Sequence, residues 1–484
     1  MFDINYSHWI VMVFNSFIFI LIFLPVVILC YFFFNQISRL AGKIVLLIGS
    51  ALFYLYGGWM FAVVTACSLL VNFLIGLSIT KSEKRKKAFF VIGIITNILF
   101  LFAFKYTQPI FNSLFKIDLS FFSLIIPLGI SYYTFQQISF LANTYKGKIE
   151  KFNPLDYFIY ILFFPKVMMG PLMEYNVFVE QLNSEERRSF RADHLLQGIK
   201  LFAFGLFKKV ILADTFALAV QYGFANVENL YFIDVGIVML SYTFQIYFDF
   251  SGYSDMAVGV ALMLNFDLPQ NFDSPYKAFS PRDFWKRWHI TLTTFLRNYI
   301  YIPLGGNRKG KIITCLNVMV VFLISGIWHG ANLTFLLWGA IWGLLCVIDR
   351  FIPQPKKLVT KIIGVCITFV ITNLLWLLFR ADSISQWVQL VGKLFTINNF
   401  SFSRELTGQL FIPMFKFVSS IIPLGSTYWA LIMIILGFVI CFALPNLYEK
   451  KEKVNYFYMI VSGLLIAICL FNLTQSGTFV YFGF

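Results

Sequence analysis

A succession of apolar runs, each near the ~20 residues an α-helix needs to cross a hydrocarbon core, constrains this chain more than any other feature. Trp9 to Phe34, Phe89 to Phe104 and Phe457 to Leu473 show the pattern. The runs do not alternate polar with apolar, which excludes a transmembrane barrel, and in lipid only helices and closed barrels satisfy their own backbone hydrogen bonds. An all-α polytopic membrane protein follows. Composition agrees, with 59% hydrophobic, 19% aromatic and only 13% charged residues, where a soluble domain carries about 25% charged. Roughly eleven to thirteen segments are long enough to span or re-enter, and no extramembrane stretch could make a folded domain, so residues 1–484 are expected to form one integral domain.

The net charge of +15 does not indicate nucleic acid, because the basic residues gather in short segments between apolar runs, as positive-inside topology requires. The first eight residues carry Asp3 and no Lys or Arg, while Arg39 and Lys43 follow the first span. This places the N-terminus outside. The cluster Lys81 to Lys87, the pair Lys356-Lys357 and the segment Glu449 to Lys453 read as cytoplasmic, and one further span places the C-terminus outside. The first run lacks a basic n-region and a small-residue cleavage site, so it is expected to stay as a membrane anchor. Seven cysteines (Cys30, Cys67, Cys315, Cys346, Cys366, Cys441 and Cys469) lie mostly in apolar runs without metal-ligand spacing, so they read as small hydrophobes. No bound cofactor or metal is expected.

Between about 121 and 350 the apolar runs carry Pro127, Gly129, Pro165, Gly170, Pro171, Gly252, Pro269, Pro275, Pro281, Pro303, Gly305 and Gly306. Helices broken at membrane depth need protein or water to satisfy their freed backbone groups, so this region is expected to be the functional core. Within it Trp328-His329-Gly330 sets an imidazole among apolar residues. Ionisable groups there are costly and face a cavity or pathway by default; the alternative is a histidine hydrogen-bonded to a neighbouring helix. Asp249-Phe250-Ser251-Gly252-Tyr253-Ser254-Asp255 suits a polar-lined cavity or the satisfaction of broken-helix backbone.

Asn271 to Tyr276 reads as a turn. Ser280-Pro281 then reads as an N-cap starting an amphipathic helix that carries Lys286, Arg287 and His289, with Trp285 and Trp288 at interfacial depth. His289 has either an interfacial or a chemical role. Leu304 to Lys311 imitates a P-loop, but Ile312 stands where the magnesium-binding Ser or Thr is required, so nucleotide hydrolysis is rejected. Arg308 and Lys309 there either obey topology or contact the phosphates of an anionic donor.

Taken together, Asp249 to Asp255, Asn271 to Tyr276, Asp283 to His289, Leu304 to Gly310 and Trp328 to Gly330 resemble the membrane-bound O-acyltransferase family, most closely its alginate O-acetyltransferase branch. Pro127 to Gln136 and Phe164 to Pro171 extend the likeness, which covers about 90–350, with C-terminal helices and an aromatic tail over 351–484. The resemblance implies a ring of helices around a thin central tunnel, with the donor entering from the cytoplasm and the acceptor from outside. It implies a catalytic His329 and places His289 in a second signature segment. A hydroxyl acceptor loses its proton as it attacks an acyl carbonyl, and a neutral imidazole suits that task.

Acetyl-CoA is the expected co-substrate, and an exported polysaccharide or cell-wall glycan the expected destination. The expected partner is an extracytoplasmic SGNH-hydrolase-like acetyltransferase that completes the transfer. Lys286, Arg287, Arg308 and Lys309 are candidate donor contacts; Asp249, Asp255 and Trp328 are candidate cavity-lining residues. The tail Phe479 to Phe484 resembles that of the alginate branch and suggests Tyr481 as an acyl relay, or simple aromatic anchoring. The competing readings are D-alanyl transfer to teichoic acid from a carrier-protein thioester and a non-catalytic transporter.

Overall fold

The computed structural model describes residues 12–107, 129–396, 400–411, 425–449 and 455–473. The N-terminal octet, Pro127-Leu128, Lys450 to Lys453 and the tail with Tyr481 lie outside the described residues. The described chain is helical: α1 (Phe19–Ile37), α2 (Arg39–Tyr56), α3 (Trp59–Lys81), α4 (Lys86–Lys105), α5 (Ile130–Tyr145), α6 (Pro154–Leu162), α7 (Tyr175–Asn183), α8 (Ala192–Phe207), α9 (Asp214–Ala225), α10 (Phe232–Met263), α11 (Pro281–Arg287), α12 (Ile290–Leu296), α13 (Lys311–His329), α14 (Leu333–Phe351), α15 (Leu358–Arg380), α16 (Ile384–Lys393), α17 (Ser426–Ala443) and α18 (Tyr456–Asn472). Among the described residues eight helices are long and apolar enough to cross a membrane: α1 to α4, α13, α14, α15 and α17. The protein is an all-α polytopic membrane protein.

Contacts divide the chain into two compact units. The first comprises residues 1–202, 254–269 and 453–459. An amide cluster joins three of its helices, where apolar packing alone gives little specificity. Asn72 of α3 donates to Gln137 of α5 at 3.1 Å and exchanges hydrogen bonds with Asn97 of α4, and Ser68 donates to Gln137 at 3.2 Å. The Lys43 ammonium on α2 pairs with Asp156 of α6 at 2.5 Å and donates to Asn183 of α7 at 2.8 Å. Lys166, fully buried, donates to Gln136 at 2.7 Å and lies 3.7 Å from the Tyr160 ring centroid.

The second unit comprises residues 203–253, 270–452 and 460–484. Gly252 does not break a helix as the sequence suggests, since α10 runs through it without interruption for 32 residues. A Cβ at Gly252 would stand 2.7 Å from the Gly205 carbonyl oxygen, so this glycine serves close helix packing, not a kink. The approach of α13 to α14 is tighter. Cβ atoms at Gly326 and Gly339 would lie 2.4 Å from the carbonyl oxygens of Phe335 and Phe322, closer than any real side chain sits.

Replacing Gly339 by leucine should therefore force α13 and α14 apart, abolishing a monodisperse detergent-extracted peak in size-exclusion chromatography. Gly392→Ala, in a helix with nothing within 4 Å of the new methyl, should leave that peak unchanged.

Candidate active site

His329 is the last residue of α13, at the end of its helix and not in mid-run. The chain turns out at Gly330, whose N–H donates to the Ile327 carbonyl at 3.2 Å. A side chain at 330 would meet the Phe335 ring at 2.7 Å, so glycine is needed for space. Asn332 then caps α14, its Oδ1 accepting from the Thr334 N–H at 3.2 Å. This tight α13–α14 corner holds the imidazole at 5% exposure inside an aromatic collar. Trp328 lies at a centroid distance of 4.6 Å, Phe379 at 4.9 Å and Trp338 at 5.3 Å, the last two edge-on, with Phe335 at 6.2 Å. Trp328, a candidate cavity-lining residue, packs its ring against His329. Phe379 and Trp376 come from α15, beyond the region that carried the resemblance; in sequence they looked like any aromatic residues of an apolar run.

The second histidine departs from the sequence expectation. Ser280 does cap α11, its Oγ accepting from the Asp283 N–H at 3.3 Å with Pro281 at the first turn. The helix nevertheless ends at Arg287, Trp288 is extended, and His289 adopts a left-handed conformation (φ 46°) that begins α12. Two backbone bonds to the Asn271 turn impose this break: the Asp273 N–H donates to the Arg287 carbonyl, and the Ile290 N–H to the Asn271 carbonyl, both at 2.9 Å. Trp288 is likewise not interfacial. It is 1% exposed, packed on Phe272 at 5.0 Å and Trp376 at 4.9 Å. Trp285, also expected at the interface, packs on Phe322, Trp338 and Trp342 at 5.4 to 5.7 Å. Aromatic stacking outweighs the amphipathic pattern here because each ring buries a large apolar area.

His289 is 2% exposed and lies outside the eight spans. Burial lowers its imidazole to about 3, so it is neutral at pH 7. Its tautomer follows from the neighbours. The Thr291 N–H, which can only donate, reaches the Asn271 side chain at 3.3 Å, and the Thr291 hydroxyl reaches the same atom at 2.7 Å, which identifies it as the amide oxygen. The Nδ1 of His289, 3.3 Å from that oxygen, must therefore carry the proton, leaving the lone pair on Nε2. Asn271 is a positioning residue that the sequence marked only as part of a turn.

The two histidines occupy one unit and are joined by a path of ring contacts. It runs from His289 to Phe250 (4.7 Å), Phe272 (4.9 Å), Trp288 (5.0 Å), Trp376 (4.9 Å), Phe379 (5.5 Å) and His329 (4.9 Å). Asp349 of α14, also overlooked in sequence, staples the start of α11 to this stack. Its carboxylate accepts from the Ser280 hydroxyl at 2.9 Å, the Arg282 N–H at 3.1 Å and the Arg282 Nε at 2.9 Å, an anion where a helix N-terminus favours one.

The charged candidates are dispersed. Arg287 pairs with Asp283 at 3.1 Å and Asp273 at 3.7 Å, while Lys286 is exposed. Arg308 and Lys309 are exposed on a turn whose Gly305, Gly306 and Gly310 all have positive φ. Asn317 pins that turn by donating to the Gly306 carbonyl at 3.0 Å. The turn leads into the start of α13, so its basic side chains lie one helix length, about 27 Å at the α-helical rise, from His329. Asp249 faces the buried Lys209 ammonium at 2.7 Å, which also pairs with Asp214 at 2.8 Å. Asp255 is buried farther along α10.

A family sequence model spans these features: that of the membrane-bound O-acyltransferases matches residues 58–381. The chain belongs to this family. It is 34% identical to the peptidoglycan O-acetyltransferase of Helicobacter pylori over 98% of both chains. It is 35% identical to the probable alginate O-acetylase of Pseudomonas aeruginosa over 82% of this chain and 78% of that one. The teichoic acid D-alanyltransferase of Bacillus subtilis is 26% identical over 51% of this chain and 67% of its own. The protein is an O-acyltransferase, and the matched region reaches both histidines and the α15 residues that complete the collar.

Asn271→Ala should free the His289 ring to exchange tautomers and lower acyl-transfer kcat by about tenfold with little change in melting temperature, read by label transfer and by thermal unfolding in detergent.

Proposed function

We propose that the protein moves acetyl from cytoplasmic acetyl-CoA across the plasma membrane for O-acetylation of an exported polysaccharide or cell-wall glycan. The supporting observation is a helix-terminal imidazole, His329, enclosed by aromatic rings in a chain of this acyltransferase family. His329 takes the proton of the acceptor hydroxyl as that oxygen attacks the thioester carbonyl. Its place at the end of α13 favours the positive charge it gains, because the last carbonyls of a helix present partial negative charge. His289, with a lone pair on Nε2, is a second acid/base or donor-positioning group. Trp328 and the collar keep bulk water from the thioester, and Asp249 and Asp255 hold the polar segment of α10.

Lys286 and Arg287 sit in the helix that precedes His289. Arg308 and Lys309, one helix length from His329, attract the anionic donor at the cytoplasmic face by charge and do not touch the reacting carbonyl. Both termini lie outside. Tyr481 receives acetyl on its phenolic oxygen and hands it to an SGNH-hydrolase-like acetyltransferase that completes transfer to the glycan. Acetyl is favoured over D-alanyl because the relatives named for O-acetyl transfer align over far more of this chain.

In purified, reconstituted protein supplied with radiolabelled acetyl-CoA, His329→Ala should fold normally and abolish label transfer. Full turnover by that variant would remove His329 from the mechanism. Tyr481→Phe should abolish polymer acetylation in cells and, because it removes the acceptor hydroxyl, release of coenzyme A from acetyl-CoA as well; unchanged polymer acetylation would exclude the relay.

A further inference from the structure

Trp338 of α14 is 1% exposed, and among the described residues its indole Nε1 has no hydrogen-bond acceptor. A buried N–H without an acceptor is destabilising, and a phenylalanine would fill much of the same space without that penalty. The ring is held on several sides, by Phe379 at 5.1 Å, Trp285 at 5.7 Å and Trp376 at 6.0 Å, and it meets His329 edge-on at 5.3 Å. Among the described residues the indole N–H groups of Trp285, Trp342 and Trp376 also have no acceptor, but these rings reach His329 only through other rings. An indole nitrogen donates and never accepts, so the group that completes Trp338 must be an acceptor.

We propose that Trp338 is a further catalytic residue, its indole N–H donating to the acyl carbonyl oxygen as that oxygen becomes an oxyanion beside His329. This rests on the reading of His329 as the base. The acceptor hydroxyl oxygen forms a bond to the thioester carbonyl carbon, the C=O π pair moves onto oxygen, and the hydroxyl proton passes to His329. Collapse restores the C=O bond and breaks the C–S bond, and the departing thiolate takes the proton from the imidazolium, leaving free thiol and O-acetyl ester. The N–H bond to oxygen strengthens as charge develops, so it acts on the transition state more than on substrate binding. A rigid donor packed among rings needs no reorientation when the charge appears.

The test compares Trp338→Phe, Trp342→Phe and His329→Ala in the full-length, reconstituted protein with labelled acetyl-CoA, measuring kcat and KM separately. Trp338→Phe should lose about 10²-fold in kcat with KM for acetyl-CoA little changed, the signature of a contact made in the transition state. Trp342→Phe should stay near wild type. Wild-type kcat in Trp338→Phe alongside an inactive His329→Ala would overturn the donor role and leave the base in place. Equal losses in both tryptophan variants would also overturn it, as a packing effect. An active His329→Ala would overturn the site itself. If Trp338→Phe does not purify as a folded protein, a benzothiophene analogue at 338, with sulfur in place of N–H, keeps the ring shape: loss of kcat supports the donor, and retention overturns it.

Discussion

The contact of α13 with α14 at Gly326 and Gly339 governs the placement of the site. With a carbonyl 2.4 Å from where each Cβ would be, the two helices approach backbone to backbone. The corner between them then closes in the few residues from Gly330 to Asn332. His329 is left at a helix end with rings from α14 and α15 around it, and the negative end of the helix dipole adjoins the imidazole. In lipid, where apolar side chains gain little by leaving their solvent, such small-residue packing is the main means of bringing helices together.

Several buried polar groups within the units do structural work. The Asn72–Asn97–Gln137 cluster, the Lys209 ammonium between Asp214 and Asp249, and the Asp349 carboxylate at the start of α11 each satisfy groups that would otherwise be costly to bury. The N–H of Trp338 differs from these in having no acceptor among the described residues while its ring contacts His329. His289 illustrates the opposite arrangement. Asn271 and Thr291 define which of its nitrogens holds the proton, so a ring that cannot easily become charged still presents a lone pair in a fixed direction.

Much of the site was legible before the structure. His329 announced itself by the cost of an imidazole among apolar residues, and the Ser280-Pro281 cap by its own chemistry. Gly252 misled, because a glycine that permits close packing and one that breaks a helix look alike until the neighbour is known. The amphipathic pattern after Pro281 misled for a related reason: the helix stops where the turn begun by Asn271 pairs with its backbone, a contact between residues not adjacent in sequence, Asp273 with Arg287 and Asn271 with Ile290. Asp349, Trp376 and Phe379 gave no signal, since an acidic residue at the end of a span and aromatics within one are ordinary in membrane helices.

The sequence by itself determined the helical, membrane-spanning class and the acyltransferase family, and it singled out His329 as a candidate, because hydrophobic run length and the cost of ionisable groups in hydrocarbon are local quantities. Only the tertiary structure decided that His329 ends its helix within a collar from three helices, that His289 sits in a left-handed break with its proton on Nδ1, and that the basic turn at Arg308 lies a full helix length from the imidazole. These depend on which segments pack together, and that is set by close backbone approach and ring stacking between residues distant in the chain.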